Sequence, residues 1–378
     1  MIKDVVECDV QGGDPVKKKE EKPRESVVAC VNKSRKEIMG VAALLIFLFH
    51  HWTVVTPQIF PNHPTLGAIS TFFVTHGHSG VDVFFLLSGM GLVWSADKRR
   101  LGEYYARRLK RVFVPFLISY AVLAFVMKLP FTRWLALVSG YTFLFENMYS
   151  VLWFVPAVMI LYLLFPLYNF IIKKLRSCVL VTAAALVLWY LGALFLPIRY
   201  DLFGFYNRIP IFLLGVALGR LEKDGKFPKT KLFYIAAPFF IAAGVVTAIL
   251  CEKKGVPLLV PVPNCFIPTL CLALGTVLAV AFVFDLLRRF RISGKVADAV
   301  AVPLSFLGST SLEFYLVQMF TVRGIMYPDR GIIAVNTGAT LPNDLLILAV
   351  AVGLAFLLSK TSGVVNDRIL RLPGRRKK

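Results

Sequence analysis

Apolar residues along this chain gather into long unbroken runs, not into the alternation of a half-buried strand or the stripe of an amphipathic helix. The runs cover residues 38–55, 79–95, 112–127, 151–171, 178–196, 208–220, 232–250, 265–285, 302–321 and 343–359. Most approach the roughly 20 residues that a helix needs to cross a bilayer; 79–95 and 208–220 are short. The stretch 134–145 is apolar but briefer still, and reads as an interfacial or re-entrant segment. In hydrocarbon a spanning segment of this kind must be helical, because no water is present to satisfy the backbone. The pattern therefore predicts an all-α, polytopic membrane protein of about ten transmembrane helices. Its core would be 37–360. Residues 1–36, with KKKEEK at 17–22, read as a disordered basic cytosolic tail, and 361–378 as a second basic cytosolic tail. The first run, Ile38–Val55, would then be an uncleaved signal anchor.

Composition agrees. Of 378 residues, 57% are hydrophobic and 17% charged, and mean hydropathy is +0.70. Water-soluble domains lie near 45–50% apolar and about 25% charged, which excludes a soluble enzyme, a disordered chain and a fibrous repeat. The net charge of +21 would suggest a nucleic-acid partner in a soluble protein. Here the basic residues cluster between apolar runs, where they set orientation, so no nucleic acid is expected. With the N-terminus in the cytosol, 35 of the 43 Lys and Arg fall on cytosolic segments. Both termini are thus expected inside. Six cysteines show no paired spacing and no CxxC, so neither a metal site nor a redox motif is expected. No inverted repeat of the transporter kind is found.

Ionisable groups inside spans are costly and mark function by default. The first span reads GVAALLIFLFHHW and places His50 and His51 in its outer half, roughly 18–20 Å above its inner end. Asp82 opens the second span in GHSGVDVFFLLSGMG, at about the depth of the two histidines. A carboxylate there could fix one imidazole's tautomer and support it as a base. Arg208 in NRIPIF and Gln318 in LEFYLVQ fall near the same level, with Glu313 about one and a half turns deeper. Blander readings stand beside these. His51 next to Trp52 suits an interfacial ring. Asp82 suits a purely structural pair, and Ser88, Gly89 and Gly91 suit close helix packing. His63, His76 and His78 read as solvated loop residues.

On the cytosolic side YYARRLKRVFVP sets Arg107, Arg108, Lys110 and Arg111 just before the third span. Spacing of three puts Arg108 and Arg111 on one helix face, where two guanidiniums can grip phosphate; a topology signal with lipid-headgroup binding is the alternative.

With these stretches in view, the chain resembles the acyltransferase-3 family of integral membrane acyltransferases, from about Arg35 to residue 325. The resemblance is carried by KEIMGVAALLIFLFHH, GVDVFFLLSG, YYARRLKRVFVP, LWFVPAVMILYLLFP, FYNRIPIFLLGVALGR and TSLEFYLVQ. It implies transfer of an acyl group, often acetyl, from cytosolic acyl-CoA to a hydroxyl of a surface polysaccharide or its lipid-linked precursor, in the cell membrane. It maps the family's first-span histidine onto His50 or His51, and its paired arginines onto Arg108 and Arg111 at the acyl-CoA phosphates. The FFxxSG stretch is present as Phe84, Phe85, Ser88 and Gly89. One position departs: the basic residue that the family often has 11 before the histidine is Met39 counted from His50, or Gly40 from His51. Lys36 lies about 40° off that face, so it or Arg35 would have to substitute.

The expected function is therefore O-acyl transfer with acyl-CoA as donor substrate and no permanently bound cofactor. His50 would serve as general base, Asp82 would hold its tautomer, and Arg208, Gln318 and Glu313 would line the acceptor side. Membrane lipids are the remaining partners. A competing reading is a proton-coupled exporter of envelope precursors, with His50, Asp82 and Glu313 as a relay. A non-catalytic partner in envelope polysaccharide assembly is a third.

Overall fold

Helices form wherever the apolar runs predict them, and they supply their own backbone hydrogen bonds. The computed structural model describes residues 25–59, 62–96, 100–146, 153–196, 198–199, 202–229, 232–254, 266–289, 294–326 and 341–368. Among these no strand occurs. The helices are α1 (Val27–Lys33), α2 (Arg35–Ile59), α3 (Pro64–Thr75), α4 (Ser79–Ala96), α5 (Leu101–Val126), α6 (Phe131–Val138), α7 (Tyr141–Phe145) and α8 (Phe154–Leu175). They continue with α9 (Cys178–Phe195), α10 (Phe203–Tyr206), α11 (Ile209–Lys223), α12 (Ala236–Lys254), α13 (Phe266–Arg289), α14 (Gly294–Ser309), α15 (Ser311–Met326) and α16 (Leu341–Arg368).

Seven of the described helical segments are long and apolar enough to cross a membrane: α4, α5, α8, α9, Leu232–Cys251, α13 and the Leu345–Arg368 part of α16. The pair Ala297–Ser309 and Ser311–Gln318, bent by 72°, makes eight if it is one span. Of the ten expected, α11 is short at 15 residues, and the side chains beyond His50 in α2 lie outside the described residues. The brief apolar stretch 134–145 does form two short helices, α6 and α7, as its length requires.

The basic N-terminal stretch is ordered at its end. Ser26 caps α1 by accepting from the Ala29 amide, and Val27, Val28, Cys30 and Val31 are buried against the bundle. Residues 1–24 lie outside the described residues. At the other end α16 carries its helix to Arg368, through the first part of the expected tail.

α4 is the hub. It is buried over most of its length and packs on α2, α5, α8, α11 and α13. Its contact with α11 is a backbone-to-backbone approach that only glycine permits. A Cβ on Gly215 would lie 2.1 Å from the Leu86 carbonyl oxygen, and one on Gly89 2.3 Å from that of Phe212. Small residues at crossing points are how helices pack tightly without a hydrophobic drive in lipid. The Gly215→Ala variant must push α11 off α4, at about 1–3 kcal/mol. It is expected to lower the thermal midpoint of the detergent-solubilised protein and its folded yield, read by size exclusion. α2 and α14 meet in the same way: a Cβ on Gly40 would lie 2.1 Å from the Leu304 carbonyl oxygen.

Candidate active site

Two polar centres lie at different levels of the bundle. The first gathers the basic residues. Arg35, in the first turn of α2, turns into the bundle and donates to the Leu87 carbonyl of α4 at 2.6 Å. Leu87 is five residues past Asp82, or about 7.5 Å along α4. Arg108 of α5 donates to Ser95 Oγ at 2.6 Å and lies over the rings of Tyr104 and Tyr162, 5.8 and 5.6 Å from their centroids. Arg35 lies within electrostatic range of both Tyr162 and Arg108. The Tyr162 hydroxyl in turn donates to Ser88 Oγ at 3.2 Å. Arg111 is on the same face of α5 as Arg108, as the spacing requires. Its guanidinium, however, pairs with Glu313 of α15 and donates to the Ser309 carbonyl at 3.0 Å.

Two expectations change here. Glu313, expected among the acceptor-side residues, pairs with Arg111 of α5 at the basic centre. Between the two substitutes for the missing basic residue, Arg35 is the one that turns inward, whereas Lys36 is exposed. Arg107 is exposed as well.

The second centre surrounds Asp82. This carboxylate is fully buried, and Oδ2 accepts from Arg208 Nη2 at 3.1 Å. Arg208, the residue before α11, also donates to the Gly204 carbonyl at 3.1 Å and lies 5.6 Å from the Trp153 ring centroid. The expected support of His50 by Asp82 is not what forms. The carboxylate's hydrogen-bond and ion-pair partner is Arg208, and Oδ1 accepts nothing among the described residues. A guanidinium offers several donors in a fixed fork, and so outcompetes an imidazole for a buried carboxylate. Gln318 is fully buried on α15, about 7.5 Å along the axis from Glu313. The side chain of His51 lies outside the described residues.

The residue that sequence reading passed over is His78. It stands in the turn between α3 and α4, half-buried, with its ring 5.1 Å from Phe49 and 6.0 Å from His76. Phe49 is also 5.2 Å from the His50 ring. Arg208, His76 and His50 all lie within electrostatic range of it. Burial first, and then the Arg208 cation, push its imidazole down to about 4, so it is uncharged at neutral pH. The sequence signal was there in the HGH immediately before Ser79, one turn from Asp82.

Beside the basic centre lies a cavity of about 100 Å³, whose lining includes Arg111, Tyr162, Ser311, Met39, Ile46 and Val81. Ser88 forms part of its wall. Met39, at the position where a basic residue was expected, lines this space together with Arg111, and Arg35 turns inward one turn below it.

A many-helix bundle with a basic centre at one level and a buried ion pair beside histidines at another is the form of a polytopic membrane protein. The model of the acyltransferase-3 family, an acyltransferase domain, matches residues 40–360. The chain belongs to that family, and by that membership is a multi-pass membrane O-acyltransferase in class. No curated protein and no solved structure matches it.

Proposed function

We propose that the protein transfers a short acyl group, acetyl in the first instance, from cytosolic acyl-CoA to a hydroxyl of a cell-surface polysaccharide or its lipid-linked precursor. The observation that carries this reading is the cavity whose wall brings Arg111 and Tyr162 together with Ile46 and Val81. Arg108, Arg111 and Arg35 would hold the donor's phosphates at the face that the distribution of Lys and Arg assigns to the cytosol. The thioester end would then rise into the cavity. A cavity of this size has room for a short acyl group such as acetyl.

His50 acts as general base. It takes the proton of the acceptor hydroxyl as that oxygen bonds to the thioester carbonyl carbon. Collapse of the tetrahedral adduct breaks the C–S bond, and the departing thiolate takes the proton from the imidazolium. Esterified acceptor and free CoA result, with no net proton change. The Asp82–Arg208 pair fixes the positions of α4 and α11 around this centre.

The test is acetyl-CoA binding by calorimetry, with purified protein in nanodiscs. Charge-assisted hydrogen bonds contribute about 1.5–3 kcal/mol each. The Arg108→Ala/Arg111→Ala double variant is therefore expected to bind more than tenfold more weakly. Unchanged affinity in that variant would remove the donor site from these residues.

A further inference from the structure

We propose that His78 binds the acceptor: its Nε2 accepts a hydrogen bond from a neutral hydroxyl of the ligand, adjacent to the hydroxyl that reacts. The inference rests on the acyl-transfer reading, and deepens it at the acceptor side.

His78 Nδ1 lies 3.1 Å from the Thr75 carbonyl oxygen. A carbonyl can only accept, so Nδ1 carries the proton and the lone pair is left on Nε2. The bond to Thr75 is the one hydrogen bond of His78 among the described residues. The ring is braced by Phe49 and by His76, whose own Nδ1 is 2.9 Å from the Phe72 carbonyl. The ring is only partly buried, with His50 of α2 within electrostatic range. A neutral imidazole fixed in this tautomer needs a donor, and the ligand must bring it.

The surroundings select the chemistry of that donor. The charged or titratable groups facing His78 are Arg208 from the start of α11, His50 from α2 and His76 from the same turn. Arg208 is balanced by Asp82, so the pair offers no net charge to hold an ionic ligand. A carboxylate or phosphate would set its own lone pairs against Nε2. An ammonium group would lose its hydration with no net negative charge to offset the loss. An uncharged O–H meets neither penalty, which fits a sugar carrying neighbouring hydroxyls.

The experiment uses full-length protein with ¹⁵N-histidine in nanodiscs. The probes are methyl β-glucoside and its charged 2-amino analogue, and His78→Phe assigns the signals. At neutral pH the His78 imidazole is expected in the Nδ1–H tautomer, with its Nε2 resonance shifting on addition of the glucoside and much less with the amine. An Nε2–H tautomer, a charged ring, or a resonance unmoved at saturating glucoside would overturn the proposal. In acyl transfer to a membrane glycolipid fraction, His78→Phe is expected to raise the acceptor KM roughly fivefold to tenfold, the worth of one hydrogen bond. kcat and acetyl-CoA affinity should hold, and His78→Gln, whose amide oxygen can accept, should recover part of the loss. An unchanged acceptor KM would also overturn it. Failure of the acyl-transfer reading would show separately, as a wild-type protein that liberates no CoA while the imidazole signals stay as described.

Discussion

Alanine in place of His50 is expected to reduce acyl transfer by roughly 10²–10⁴-fold, the usual contribution of a positioned general base. Acetyl-CoA binding should be unchanged, because the arginines proposed to hold the donor belong to the basic centre, Arg108 beside Ser95 and Arg111 beside Glu313. The measurement is transfer of labelled acetyl to a membrane glycolipid fraction, set beside calorimetry on the same sample. A His50→Ala enzyme that keeps its rate while His51→Ala loses it would move the base by one residue. Retention of activity by both variants would remove the histidine mechanism altogether.

The second large effect concerns Asp82 and Arg208. With side chains 0% and 5% exposed, they form a buried pair in which each charge depends on the other. Removing one partner strands the remaining charge and costs about 3–5 kcal/mol. Asp82→Ala and Arg208→Ala are therefore both expected to lose folded protein, seen as a lower thermal midpoint and poorer recovery from detergent. Replacing both at once, as Asp82→Leu/Arg208→Met, removes the stranded charge and should restore stability beyond either single change. If Asp82→Ala instead folds normally and loses only rate, the carboxylate acts in the chemistry and not as a clasp between α4 and α11.

How much of this was legible in the sequence depended on what kind of signal each residue gives. The spans were legible because twenty consecutive apolar residues admit few other structures, and the shortness of 134–145 already marked it as something less than a crossing. Arg35 and Arg108 were legible as basic residues near the first and third spans. That Arg35 and not Lys36 turns inward is a matter of rotamer and of the open space beside Gly91, whose added Cβ would lie 2.9 Å from the Arg35 guanidinium. Asp82 and Arg208 were each marked by the cost of a charge among apolar neighbours, yet their mutual pairing spans 126 positions, which no local pattern records. Glu313 sits as far along α15 from Gln318 as the spacing implies, but its pairing with Arg111 spans 202 positions, likewise beyond any local pattern. His78 was passed over because a histidine between two helices resembles a solvated loop residue. Only the fold of α3 back onto Phe49 gives it walls.

The central claim, that this bundle passes an acyl group from CoA to a hydroxyl, is tested most directly by release of free thiol. Wild-type protein in nanodiscs, given acetyl-CoA and a membrane glycolipid fraction, should liberate CoA in step with acetyl appearing on the glycolipid, and His50→Ala should do neither. Wild-type protein that binds acetyl-CoA but liberates no more thiol than empty nanodiscs would contradict the account and favour an exporter or an assembly partner.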